Sequence, residues 1–328
     1  MANMTALLGN TVEIDSSDSD SALGDDTSTY NTSIGSSIRR HEWKHGRRYH
    51  SYQAGTYNFP NDEQEQDRLD MIHYVYYRAL HDRLFLAPID PSQGLRVLDI
   101  GTGTGIWSME LGDQYPGASV ISGIDLSPIQ PAWVPANVKF LIDDVELPWP
   151  ESQTYDFIHC RYMAGSIKDW PQLIRQCYEH LEPGGWLELQ ESANQLYSED
   201  GSLKPDNAIV RMMNGLMEAC EKIGRTMDPA PSMKNWVQDA GFVEIKQESF
   251  KLPVGSWPKD PRLKEIGLLL GINFVEGVDA FTAAPFRDVL GWSEVEVQVL
   301  NASVKNAIRQ KDAHPLFDFL VTTAQKPA

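Results

Sequence analysis

Cysteine is scarce: only three are present in 328 residues. Cys160, Cys177 and Cys220 have neither the spacing of a zinc site nor the even count of a disulfide framework. That excludes zinc-activated thiol chemistry and a stapled secreted scaffold, and the three read as buried thiols of a reducing compartment. Basic residues are scarce too, 28 Lys and Arg against 46 Asp and Glu, for a net charge of −18. Coating nucleic acid or an anionic membrane needs a basic face, so both are excluded, though a small local basic patch is not. No apolar run reaches the roughly 18 residues of a bilayer span. The N-terminus lacks the basic-then-apolar order of a secretory leader. The expectation is a soluble intracellular protein, cytoplasmic or nuclear, with no membrane, no metal and no direct nucleic-acid partner.

Hydrophobic residues make up 41% of the chain, enough for a sizeable core, and the length suits one domain with decorations. Residues 1–37 are rich in Ser, Asp, Thr and Gly and bury too little apolar surface to offset ordering entropy, so a disordered acidic tail is expected there. A basic stretch follows, with Arg39, Arg40, Lys44, Arg47 and Arg48 among aromatics. It reads as a nuclear import signal, as an arm over an active site, or as a solvated segment that balances the tail. A helix is expected after Pro60 and Asn61, opened by a capping box of Asp62 and Glu65. Leu69, Ile72, Tyr76, Ala79 and Leu80 recur at helical spacing as its core face. Residues 38–90 thus form an N-terminal arm and helix, and residues 91–328 the main domain.

Between residues 94 and 191, short apolar runs ("LRVLDI", "SVISGID", "VKFLID", "YDFIHC", "GGWLELQ") alternate with helical segments. That pattern indicates parallel strands with crossover helices, an α/β Rossmann-like fold with helices on both faces of the sheet. Helical decorations are expected at about residues 200–240 and 259–310, including a stretch over 262–275. Strands are expected at "FVEIKQESFKLPV" and "LFDFLVTTAQKP".

The run "RVLDIGTGTGIW" ends a strand in glycines. A dinucleotide loop needs G-x-G-x-x-G, and neither register supplies the third glycine, which falls on Ile106 or Ser108. No G-K-[ST] follows, so a triphosphate loop is excluded as well. What stands there is Asp99 followed by Gly101, Gly103 and Gly105. Glycines let backbone approach a ligand, and the next helix presents free N–H groups. Asp125 ends the second strand, where a carboxylate accepts ribose hydroxyls. After the third strand, Asp144 can accept the exocyclic amine of adenine, the Val145 backbone can meet the ring edge, and Leu126 can sandwich the base. Three successive strand ends therefore describe an adenosine site with nothing for a pyrophosphate. S-adenosylmethionine fits it. Its ammonium would sit near Asp99, and Tyr52, Tyr57 and Trp107 are aromatic faces for its sulfonium, or core residues.

In order, "VLDIGTGTG", "GIDLSP", "DDVELPWP", "YDFIHCRYMAGSIKDW" and "LEPGGWLELQE" resemble the class I S-adenosylmethionine-dependent methyltransferases. The resemblance implies that family's mostly parallel seven-stranded sheet. "GRRYHSYQAGTYNFPNDEQEQDRLD" joined to "GTGTGIWSMELGDQYPGASVISGIDLSPIQP" narrows it to the LaeA-like methyltransferases of filamentous fungi. That resemblance implies secondary metabolism. The role is either a pathway enzyme with a small-molecule methyl acceptor or a nuclear regulator working with velvet-domain partners. It also implies that the segment before the first strand folds over the cofactor, with Tyr57 in that lid.

No catalytic residue is assigned from sequence. His159 is either a general base or a satisfied sheet-face histidine. It and Cys160 face opposite ways on their strand. Arg161 lies near the cofactor or binds an acidic substrate group. No Asn-Pro-Pro-Tyr type run follows the fourth strand, unlike methyltransferases of amino groups in nucleic acid and protein glutamine. Met212, Met213 and Met217 read as core or as an adaptable apolar substrate wall.

Overall fold

The computed structural model describes residues 41–50, 60–117, 120–310 and 312–328. The expected tail, Arg39, Arg40, Tyr52 and Tyr57 lie outside the described residues.

The basic stretch opens as a hairpin, β1 (His41–Lys44) and β2 (Arg47–His50), turning through His45 and Gly46 at positive φ. The hairpin's two described arginines, Arg47 and Arg48, are engaged rather than free. Arg47 pairs with Asp62 at 2.5 Å, and Arg48 bonds Glu63 at 2.8 Å and the Asn61 carbonyl at 2.7 Å. The hairpin is thereby fastened to the start of α1 (Glu63–Ala79). Asp62 caps that helix through the Glu65 N–H. The expected capping box is not completed, because the buried Glu65 carboxylate instead holds Arg68 through two hydrogen bonds of 2.6 and 2.9 Å.

The central sheet follows: β3 (Arg96–Ile100), β4 (Val120–Asp125), β5 (Val138–Ile142), β6 (Tyr155–Arg161), β7 (Leu181–Tyr197), β8 (Val243–Pro253) and β9 (Leu316–Gln325). Its order is β5-β4-β3-β6-β7-β9-β8, and only β9 runs antiparallel to its neighbours. This is the mostly parallel seven-stranded Rossmann-like sheet the strand pattern calls for. The period-2 alternation of side chains separates two layers. Leu98, Ile158, Cys160 and Leu187 pack under α3 (Trp170–His180) and α5 (Ala230–Asp239). Val97, Ile121 and Phe157 pack under α2 (Ile106–Gln114). A third cluster joins α1, α4 (Ala208–Lys222), α6 (Pro261–Ala284) and α7 (Glu294–Arg309) to the β8 and β9 edge.

Helix α6 runs well past the expected residue 275. Its glycines do not break it; they let neighbours approach. A Cβ at Gly267 would stand 2.2 Å from the Gly255 carbonyl, and one at Gly277 would stand 2.7 Å from the Phe281 ring. With the wider turn that follows, Pro261–Val289 is long and apolar enough to cross a bilayer, unlike any run foreseen from sequence. Yet 61% of the apolar 18-residue window within it is buried in the protein, as suits a core helix. All three cysteines are free and buried, and burial keeps their thiols neutral.

Candidate functional site

The carboxyl ends of β3, β4, β5 and β6 open onto one cavity of about 1170 Å³, counting its mouth. Asp99, Gly101, Gly103, Asp125, Leu126, Asp144, Val145 and Arg161 all line it. Residues from four strand ends therefore converge where such sheets bind ligands. Gly105 does not line the cavity. It caps α2 at φ +84°, and a Cβ there would stand 2.3 Å from the Phe140 ring.

The glycine loop is fastened to β4 by the Gly101 and Thr102 N–H groups, which both donate to the Ile124 carbonyl. A Cβ at Gly101 (φ +67°) would meet the Met163 sulfur at 2.1 Å. At Gly103 (φ +57°) the nearest atom would be Leu69 Cδ1 at 3.9 Å, so this glycine keeps the cavity side open. Leu69 is half-buried and lines the cavity instead of joining the core.

Asp99 is engaged within the protein. It accepts from Thr102 Oγ1 (2.6 Å), Ser108 Oγ (2.8 Å) and His159 Nδ1 (2.8 Å). Burial pushes its carboxyl up, but His159 and the two hydroxyls outweigh that and hold it below the usual range. The pairing follows from register, since Asp99 and His159 stand opposite on adjacent strands. His159 stacks on Trp107 at 3.8 Å with an interplanar angle of 3°, and burial lowers its pKa. Its Nε2 is buried without a partner, so the expectation of a satisfied sheet histidine holds at one nitrogen only. Trp107 is buried, and its indole N–H donates to the Leu84 carbonyl.

Asp125 accepts from the Gly103 N–H (2.9 Å) through one oxygen and the Ser127 N–H (2.8 Å) through the other. Burial nevertheless pushes it up to about 6. Asp144 accepts from the Glu146 N–H, which closes the loop after β5. The Val145 carbonyl is occupied by Trp149 Nε1 and Gln176 Nε2, so any contact of Val145 with a base edge falls to its N–H.

On the opposite wall Arg161 donates to His73 Nδ1 at 2.7 Å, and His73 Nε2 meets Glu110 at 3.0 Å. Burial and the Arg161 charge lower the His73 pKa against the pull of Glu110, so His73 is neutral with its proton on Nε2. Burial also lowers Arg161, and among the described residues no carboxylate pairs with it. Asn61, at the hairpin-bearing end of α1, lines the same cavity with a buried Nδ2 that has no partner.

These groups fit S-adenosylmethionine. Asp125 and Asp144 offer acceptors for its ribose and adenine, Arg161 a cation for its carboxylate, and Asn61 Nδ2 an unspent donor. Sequence reasoning missed Asn61, His73 and Met163, which carry no local motif. Of the methionines singled out, Met212 is core and Met213 lines a second cavity beside the first.

A family described as "Methyltransferase domain" matches residues 71–247. "Methyltransferase pytC" of Aspergillus terreus is 66% identical over 302 residues, 92% of this chain and 93% of that protein. "Secondary metabolism regulator laeA" of Aspergillus fumigatus is 36% identical over 289 residues, 87% of this chain and 76% of that protein. Among solved structures, Haemonchus contortus phosphoethanolamine N-methyltransferase 2 in complex with S-adenosyl-L-methionine is similar at TM-score 0.49 and 17% identity, over 86% of this chain and 62% of that one.

Proposed function

The chain belongs to the S-adenosylmethionine-dependent methyltransferases, and from that premise we propose that it methylates a small molecule of fungal secondary metabolism. The observation that carries the reading is the strand-end cavity. Four strand ends bring carboxylates suited to an adenosine and an unpaired cation to one enclosure, and the start of α1 adds an orphaned amide donor. The 66% identical relative named as a methyltransferase supports a pathway enzyme over the regulator, whose namesake is 36% identical.

When bound, the cofactor supplies a methyl group already activated on a sulfonium. The chain's residues have then to bind, orient and exclude water. Gly103 and Asp125 hold each other by a hydrogen bond, so the loop conformation and the ribose acceptor are set together. Arg161 is positioned by His73, which Glu110 orients in turn.

Metabolite profiling of a strain lacking the gene tests the proposal. Accumulation of a compound lighter by one methyl group supports it. Loss of many unrelated metabolites, together with nuclear tagged protein and capture of a velvet-domain partner, would replace it with the regulator.

A further inference from the structure

A second cavity of about 750 Å³, counting its mouth, lies beside the cofactor cavity, and Ile72, Tyr162 and Ser166 line both. The two are therefore contiguous at the end of β6. Tyr162 stands at the junction with φ +59°, a left-handed conformation that is strained for a non-glycine residue and that clusters at functional sites. The wall of the second cavity is apolar, formed by Met213, Leu216, Leu270, Phe274 and Phe317 from α4, α6 and β9.

Its polar groups are nearly all occupied. Arg68 is held by Glu65 and by Asn273 Oδ1 at 2.9 Å, so it brings no free charge. Its guanidinium also meets the Tyr162 hydroxyl at 3.3 Å. The Tyr76 hydroxyl pairs with Ser192 Oγ at 3.2 Å. Among the described residues, the one fully buried side-chain polar atom of its lining left without a partner is on Glu191, next to the last residue of β7 that pairs with β6. One of its oxygens accepts the Met163 N–H. The other, Oε2, is buried without a partner in a residue only 1% exposed. A buried carboxyl oxygen left unbonded beside an apolar chamber is costly unless a ligand completes it.

Resting on the methyltransferase reading, we propose that this chamber holds the methyl acceptor. The acceptor is a largely apolar molecule bearing a phenolic or enolic hydroxyl, and Glu191 Oε2 takes that hydroxyl's proton. The hydroxyl oxygen then uses its electron pair to bond the incoming methyl carbon. The carbon–sulfur bond breaks with its pair returning to sulfur, and the proton leaves Glu191 for water on product release. Burial pushes the Glu191 carboxyl up to about 8, against the Met163 and Ala164 N–H groups and the Arg161 charge. A base of that strength suits an acidic hydroxyl, and an aliphatic alcohol lies beyond its reach.

Two surrogates on one frame test this with the full chain: 2-naphthol, which is neutral at neutral pH, and 4-nitro-1-naphthol, which is already ionised. The wild type is expected to methylate both. Glu191→Gln should lower kcat for 2-naphthol by about 100-fold or more while keeping KM, and should retain 4-nitro-1-naphthol turnover, because that substrate has no proton to give. The wild-type rate on 2-naphthol should rise with pH and level off above about 8. The proposal is overturned if the variant loses both activities or neither. It is equally overturned if the wild-type profile has no break, or if wild type that binds S-adenosylhomocysteine methylates neither surrogate. Failure of wild type to bind S-adenosylhomocysteine sinks the underlying cofactor reading instead, and the same calorimetric titration confirms that the variant is folded.

Discussion

With Asp125 as the proposed ribose acceptor, cofactor binding should depend on pH. The two oxygens of Asp125 hold the Gly103 and Ser127 N–H groups, and burial pushes it up to about 6, with Asp99 adding a like charge. A ribose donates to the ionised carboxylate, so the cofactor binds that form. With a pKa of about 6, roughly nine-tenths of the protein is ionised at pH 7 and about one-tenth at pH 5. Affinity should therefore fall about tenfold between them, or about 1.4 kcal/mol. Calorimetric titration with S-adenosylhomocysteine, in buffers of different ionisation heat, should find nearly one proton released per molecule bound at pH 5 and close to none at pH 7. The sign for stability is opposite in the cofactor-free protein. The folded pKa is raised, so Asp125's contribution is present below about 4 and lost as pH rises through about 6. Asp125→Asn should bind at least about tenfold more weakly at pH 7 and lose the pH dependence. Equal affinity at pH 5 and 7 with no proton release, or an Asn variant that keeps the wild-type slope, would refute the assignment.

Arg161→Met should have effects of opposite sign. Removing a buried cation with no carboxylate partner should raise the melting temperature of the free protein, while cofactor affinity falls by about 10- to 100-fold, as for loss of a charged hydrogen bond. Gly101→Ala places a Cβ at φ +67° against Met163 and should destabilise the fold by about 1–3 kcal/mol in urea titrations. Burial pushes Glu188 up to about 7, although it accepts the Leu86 and Ala87 N–H groups. Its stabilising contribution is therefore present below about 4.5 and lost through about 7. The stability of Glu188→Gln relative to wild type should improve by about 3 kcal/mol from pH 4.5 to pH 8, and parallel denaturations at the two pH values check it.

The cofactor cavity was legible because its parts sit at strand ends, where spacing alone places them. Asp99, Gly101, Gly103, Asp125 and Asp144 each close or follow a recognisable apolar run. Gly105 shows the limit of that reasoning: it shares the motif, but its job is to cap α2 against Phe140. Helix α6 was read only to about residue 275, yet it runs on through Gly277, where a Cβ would crowd Phe281 and Arg68. The second chamber was legible in part: Met213, read from sequence as core or as an apolar substrate wall, lines it, but its polar group was not. Glu191 reads as one more polar residue in "LELQE", and only the fold buries its Oε2 and sets the residue in one lining with Tyr162 and the α4 and α6 side chains. Likewise the Glu110–His73–Arg161 chain joins residues far apart in sequence, which no local pattern announces.

A crystal structure of the full chain with S-adenosylhomocysteine tests the central claim most directly. It should show adenine against Asp144 and Val145, ribose on Asp125, carboxylate at Arg161, and sulfur facing the Tyr162 junction with the second cavity. Saturating ligand that leaves the strand-end cavity empty, or that binds there with its sulfur turned away from that junction, would contradict it.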